Sequence, residues 1–225
     1  MRAIILRAST IRKIGDILRT YTFAEKMKGY GLRITGDIDD PRNFLNTNGK
    51  KMLEEWSFLA SELSTCPPIL FVTVIAPSFF STLREDVKSI DEKIVVGVHG
   101  YRHVHYPMYA NANDISLCKK LSDWFRFPYL DCNLELLKTV SRHFNYESSM
   151  ASSSLYPYRI GAMWEYPIAT PTDSYFLEMG HSARAVGIYL KKISLAKKKE
   201  KFVTFLFHPN DFTISLMSKL RRFSI

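Results

Sequence analysis

The sequence predicts an α/β fold, a single domain built on a parallel sheet, open or closed, with helices between its strands. Three observations carry this. Short apolar runs rich in β-branched residues, at Ile69 to Ile75, Lys93 to Val98 and Phe202 to Phe207, read as strands buried on both faces. Between them lie stretches whose apolar residues recur at helical spacing, so strand and helix alternate along the chain, the signature of a parallel sheet. The chain has 225 residues, 46% of them hydrophobic, enough to bury one sizeable core and the length of one α/β barrel.

Each element follows in order. Residues 1–28 read as a basic N-terminal extension, partly helical through Ile11, Ile14, Ile17 and Leu18, and residues 29–225 as the catalytic-size domain. Tyr30 to Gly36 is a first strand running into Asp37-Ile38-Asp39-Asp40-Pro41, where Pro41 starts a helix whose apolar face is Met52, Trp56, Leu59 and Leu63. The strand at 69–75 precedes a helix near 79–90. The strand at 93–98 ends in His99, and a helix is expected from Asp114 to Trp124 with Leu117 and Leu121 inward. After Arg126-Phe127-Pro128-Tyr129, Asp131 is placed to cap a helix over 133–143. Ser148 to Ser154 is a short strand entering a loop, and Trp164 to Pro171 an extended piece with its prolines at the sheet margin. A helix over 174–196 ends in Lys197-Lys198-Lys199, cations that suit a helix C-terminus, before the strand at 202–207 and His208.

The formal net charge of +9 points to an anionic partner: a phosphate-linked substrate, an anionic membrane surface touched peripherally, or nucleic acid. No zinc finger, RNA-binding aromatic signature or long basic amphipathic helix accompanies the charge, which disfavours nucleic acid. Cys66, Cys118 and Cys132 are odd in number and widely spaced, so neither a disulfide framework nor a thiolate metal site is expected. Charges at Arg7, Arg12 and Lys13 interrupt the first apolar run before a signal-peptide core could form, and a cytoplasmic location is expected. Nothing in the sequence sets the oligomeric state.

The strand ends share a chemistry. Asp37, Asp39 and Asp40, then His99 and His103, Arg126, Glu165 and His208 each follow or lie within an expected strand. In a parallel barrel these ends converge. One carboxylate with two neutral imidazoles makes a three-ligand site with an open position, the arrangement in which a divalent metal acidifies water. A second carboxylate is then available as base, a histidine as acid, and an arginine to steady a carboxylate. His105 and Tyr106 read as loop packing, and His143 and His181 as surface helix residues.

Thr35-Gly36-Asp37-Ile38-Asp39-Asp40, His99-Gly100-Tyr101-Arg102-His103, Arg126-Phe127-Pro128-Tyr129 and Leu206-Phe207-His208-Pro209 stand in the order of the motifs of the polysaccharide deacetylases, the NodB-homology family, which the chain resembles over about residues 30–212. The likeness is to divergent members with Asp-x-Asp in place of Asp-Asp-Gly. It implies a distorted (β/α) barrel of about seven parallel strands. It also implies Asp37 as base, Asp39, His99 and His103 as ligands to a divalent metal, zinc first and cobalt or nickel next, Arg126 as the residue steadying the base, and His208 as general acid. Asp40 is the alternative ligand if the register matches the Asp-Asp form. The alternation of side chains along a strand favours Asp37 and Asp39. Glu165 or Asp173 is placed to tune His208, and the Tyr129 backbone amide to help hold the oxyanion. The chain departs from the common pattern in Pro128-Tyr129-Leu130, where the family usually carries glycine third.

The implied activity is hydrolysis of an N-acyl group, N-acetyl first, from an amino sugar or glycoconjugate; the basic charge and the expected cytoplasmic location favour a phosphate- or lipid-linked substrate over an extracellular polymer. A formamido-sugar deformylase or a cyclic-amide hydrolase would use the same parts. A non-catalytic carbohydrate-binding barrel is the rival from another class.

Overall fold

The computed structural model describes residues 30–46, 48–109, 112–152, 157–180 and 182–223. The expected N-terminal extension and His181 lie outside them. Strand β1 (Gly31–Ile38) is followed by helices α1 (Pro41–Asn46) and α2 (Gly49–Leu63). Then come β2 (Ile69–Val72), α3 (Pro77–Ile90), β3 (Val95–Val98), α4 (Tyr106–Tyr109), α5 (Ala112–Cys118), β4 (Trp124–Phe125) and α6 (Leu134–Val140). Short strands β5 (Tyr146–Glu147), β6 (Ala151–Ser152), β7 (Tyr158–Ile160), β8 (Met163–Glu165) and β9 (Ile168–Ala169) lead to α7 (Asp173–Met179), α8 (Ser182–Lys198), β10 (Phe202–Leu206) and α9 (Asp211–Arg221).

The strand pairings form a ring. β1 to β5 pair in sequence order, all parallel, and β10 lies parallel to both β1 and β9. β5 pairs with β8 and β6 with β9, again parallel. Residues 146–152 and 163–169 are each one bent, extended stretch, stitched together by Trp164 N–H to Asn145 O, Tyr166 N–H to Glu147 O and Ile168 N–H to Met150 O. Counting each stretch once, the wall is seven parallel strands closed on themselves, with β7 an antiparallel flap on β8. This is the distorted (β/α) barrel expected from the sequence.

Alternation along the strands sorts the side chains into two layers. Leu32, Ile34 and Ile38 of β1 and Leu70 and Val72 of β2 face the helices in the main core, whereas Ile69, Phe71, Trp124, Tyr166 and Phe202 form a small cluster of their own. That cluster fills the lower barrel. Arg33 joins it, its guanidinium 4.7–5.2 Å from the ring centres of Trp124, Tyr166 and Phe202. Thr35 and Asp37 follow Arg33 on the same face of β1, so an aromatic floor supports a polar upper end.

Gly36 lies on the other face, where α2 crosses closest. Trp56 is fully buried against it, its indole N–H donating to Phe207 O at 2.8 Å. A Cβ at Gly36 would stand 2.7 Å from the Trp56 ring and 2.9 Å from the Phe207 carbonyl oxygen. Gly36→Ala should therefore destabilise the protein by about 1–3 kcal/mol in urea unfolding, the range for overpacking a close-fitted core.

Several boundaries differ from expectation. The helix expected to reach Trp124 stops at Cys118, and Trp124 is instead a strand residue inside the barrel, stacked on Tyr146 at 4.5 Å. Asn133, not Asp131, caps α6, accepting from Leu136 N–H at 2.9 Å. The helix expected over 174–196 is two, broken at Gly180 (φ 65), which ends α7 in the left-handed conformation that glycine permits. Trp164 to Ala169 lies in the barrel wall between neighbours on both sides, not at a margin.

Candidate active site

Asp37, near the C-terminal end of β1, is 5% exposed, and its carboxylate accepts from the Arg126 guanidinium at 2.6 Å. Arg126 follows β4 and is fully buried. Its remaining donors reach Ser148 O at 2.6 Å, the Ser148 hydroxyl at 3.0 Å and the Thr35 hydroxyl at 2.9 Å, while the guanidinium lies 4.1 Å from the Phe71 ring centre. One side chain thus ties β1, β2 and the stretch after β5 together and neutralises Asp37 inside the barrel.

His99, one residue beyond β3, points its Nε2 at Asp39 Oδ1 (3.3 Å) and Asp37 Oδ2 (3.7 Å). His103 Nε2 lies 3.2 Å from the same Asp39 oxygen. Burial alone would raise the Asp39 pKa, but the hydrogen bonds and charge of the two imidazoles hold the carboxyl well below its usual range. One ligand atom from each of Asp39, His99 and His103 lies within 4.8 Å of the other two. The donor set of two imidazoles and one carboxylate suits zinc, cobalt or nickel. The His99 ring supports the fit: its Nδ1 lies 3.3 Å from Arg126 O, and donation to that carbonyl would let Nε2, which points into the cleft, serve as the ligand atom to a bound cation. Asp40 is turned away, its two oxygens accepting from Asn43 N–H (3.3 Å) and from the Asn43 amide group (2.7 Å).

His208 stands beyond β10 with Nδ1 3.0–3.1 Å from both oxygens of Asp173, a 1%-exposed carboxylate that also accepts from His208 N–H (2.6 Å) and the Thr213 hydroxyl (3.0 Å). Burial works to lower the His208 pKa. The hydrogen bond and charge of Asp173, with Asp37 and Asp39 beyond it, outweigh burial and push the pKa up to about 9. The imidazole is therefore held protonated at neutral pH.

Tyr129 sits in a short turn, Pro128–Leu130, with a left-handed backbone (φ 56) rare outside glycine. Its exposed ring packs on His103 and stacks on His105 at 4.1 Å. A cleft of about 280 Å³ brings Asp37, Asp39, His99, His103, Tyr129 and His208 together. Glu165 is not among them. Its neighbours Trp164 and Tyr166 pack with the lower barrel, so alternation turns Glu165 outward, where it is fully buried and accepts from Met150 N–H at 3.1 Å. Asp173 is the carboxylate that meets His208. Glu147, the register partner of Glu165, is equally buried. Burial raises its pKa to about 7 against the hydrogen bonds from Ser149.

His105 is separate from the ligand set, exposed and 3.3 Å from Asp131, and Tyr106 is buried with its hydroxyl oxygen accepting from Tyr101 N–H at 2.7 Å. His99→Ala and His103→Ala should each lower zinc affinity at least about 10- to 100-fold by competition with a chromogenic chelator, the loss seen even for outer partners of a metal site. His105→Ala should leave it unchanged.

No family model and no curated protein matches the chain in sequence. Among solved structures, the chain superposes on a Mycobacterium smegmatis protein classed with the polysaccharide deacetylases, with a TM-score of 0.61 and 14% identity over 89% of this chain and 88% of that one. A mutant of a CE4-family pseudoenzyme with restored enzymatic activity gives 0.52 and 15% over 89% and 65%. A 4-alpha-glucanotransferase from Thermococcus litoralis gives 0.53 and 12% over 88% and 37%. The chain therefore has the fold of the polysaccharide deacetylases, a barrel that also carries other carbohydrate chemistry. Among the described residues, no helix is long and apolar enough to cross a membrane.

Proposed function

We propose that the protein is a divergent, Asp-x-Asp member of the polysaccharide deacetylase family that hydrolyses an N-acyl group, N-acetyl first, from an amino sugar or glycoconjugate. The observation that carries this reading is the convergence, in one cleft, of an Asp39-His99-His103 ligand set with two separately supported proton carriers, Asp37 on Arg126 and His208 on Asp173. Asp39, His99 and His103 would hold a divalent cation, which when bound acidifies water and polarises an acyl oxygen. Asp37 takes the proton of the attacking water, and Arg126 holds its carboxylate in place through a charge-assisted hydrogen bond. The Tyr129 backbone amide donates to the developing oxyanion. His208 protonates the departing nitrogen as the C–N bond breaks, leaving a free amine and a carboxylic acid. Formyl and cyclic-amide substrates need the same proton transfers.

The test is zinc-loaded protein assayed for acid release from acetylated and formylated amino sugars, with His208→Ala beside it. His208→Ala should retain fold and zinc but lose ~10²–10⁴-fold in kcat on an amide, the range for a positioned proton donor. It should lose less on the acetyl ester of an acidic phenol, which leaves unaided. Since the acid form is the active one, activity should fall as pH rises through a His208 pKa that Asp173 holds above the ordinary histidine value. Asp173→Asn, which removes the main cause of the raised pKa, should move that fall towards the ordinary histidine value. Equal losses on amide and ester would remove His208 from the mechanism, and protein that binds zinc yet releases no acid from any substrate would favour a carbohydrate-binding barrel.

A further inference from the structure

A second lobe of the cleft, about 680 Å³, opens on the other side of Asp39 and His103, which line both lobes. Its volume lies in the range of small-molecule sites. Two arginines line it. Arg42, on the first turn of α1, is exposed, and among the described residues no acidic side chain pairs with it. The nearest carboxylate along the chain, Asp40, is already engaged by Asn43 through both oxygens. Arg102 is held in place by Asp114 at 2.7 Å. Another part of the wall, at Ile75, is strained. Ile75 takes φ 56, and Ala76 N–H folds back to Val74 O at 2.5 Å, a three-residue turn that a β-branched residue adopts only when its surroundings impose it. Ile75 N–H to Tyr101 O (3.0 Å) and Val74 N–H to Gly100 O (3.0 Å) impose it here, tying the loop after β2 to the loop that carries His103 and Arg102. Strain maintained in this way collects at binding sites.

We propose that this lobe is a phosphate-binding subsite in which Arg42, with Arg102 beside it, takes a phosphoryl group attached to the sugar. The substrate would then be a sugar phosphate or a sugar diphosphate conjugate, not a neutral polymer. The inference rests on the hydrolase reading for which bond is cleaved, but not for whether phosphate binds. Planar guanidinium groups match phosphate oxygens in pairs, and this lobe places them next to the ligand set. Asp39 and Asp40 line the lobe too, but Asp39 belongs to the ligand set and Asp40 accepts from Asn43 through both oxygens, so Arg42 and Arg102 are the cations a phosphate would meet there.

Calorimetry on zinc-loaded protein tests this with four probes: glucosamine, glucosamine 1-phosphate, N-acetylglucosamine 1-phosphate and UDP-N-acetylglucosamine. The phosphorylated amine should bind about 10- to 100-fold more tightly than glucosamine, as charge-assisted hydrogen bonds allow, with the advantage shrinking in high salt. Arg42→Ala should bring the ratio close to one, and Arg42→Lys should restore part of it. Equal binding of the two amines overturns the proposal. So does a preference that survives Arg42→Ala, which would seat the phosphate on the zinc. Whichever of the monoester and the nucleotide sugar binds more tightly, an Arg42-dependent preference upholds the subsite and assigns the source of the phosphate. Acid release without a phosphate preference defeats the subsite alone, whereas an Arg42-dependent preference without acid release defeats the hydrolase reading alone.

Discussion

On the proposed hydrolase reading, Asp37→Asn should abolish measurable turnover of zinc-loaded protein, a loss of ~10⁴-fold or more in kcat, without loss of zinc binding. An amide is close to isosteric with the carboxylate, still accepts from Arg126 through its oxygen, and cannot take a proton from water. Asp39→Asn should behave differently. Asp39 shares one oxygen between His99 and His103, and loss of its charge should show first in metal content, with activity partly recovered at high zinc. Kinetics and metal analysis on the two variants separate base from ligand. If Asp39→Asn keeps its zinc and Asp40→Asn loses it, the register among the three carboxylates is the alternative one.

Arg126→Met should cost about 3–5 kcal/mol in urea unfolding, the range for breaking a buried ion pair from one side. Methionine fills much of the space but leaves the Asp37 carboxylate charged and buried, and strands Ser148 O and the Thr35 hydroxyl without their donor. Adding Asp37→Asn to Arg126→Met should therefore recover stability, because it removes the uncompensated charge. The double-mutant cycle should be strongly non-additive. Arg126→Lys should rescue little, since one ammonium cannot span Asp37, Thr35 and Ser148 as the guanidinium does. Additive losses would mean that Arg126 only fills space.

The long strands and the sites at their ends were legible because they depend on local pattern. β2, β3 and β10 are short apolar runs and β1 a longer, mixed one, and polar groups stand near or just beyond their ends, so Asp37, His99 and His208 could be picked out beside Arg126. What misled was whatever needed a neighbour to define it. β4, β5, β6, β8 and β9 are two or three residues each, too short for any periodicity, and become strands only because the barrel closes through them. Glu165 and Asp173 looked equivalent in the sequence as carboxylates ahead of His208. The signal that separates them, a partner Trp-x-Tyr pair packing with the lower barrel, was present but has no meaning until the strand is known to line one.

The sequence by itself therefore determined the alternating α/β class, its long parallel strands and the residue types at their ends, since burial pattern and alternation are properties of the chain, whereas a barrel of about seven strands was implied only by the family resemblance. Only the tertiary structure decided which carboxylate meets which imidazole, that Arg126 is the post joining three parts of the wall, and that the cleft has a second lobe carrying Arg42 and Arg102. Those are matters of distance between residues far apart in the chain, such as the 2.6 Å contact of Asp37 with Arg126, and spacing along a sequence does not encode distance across a barrel.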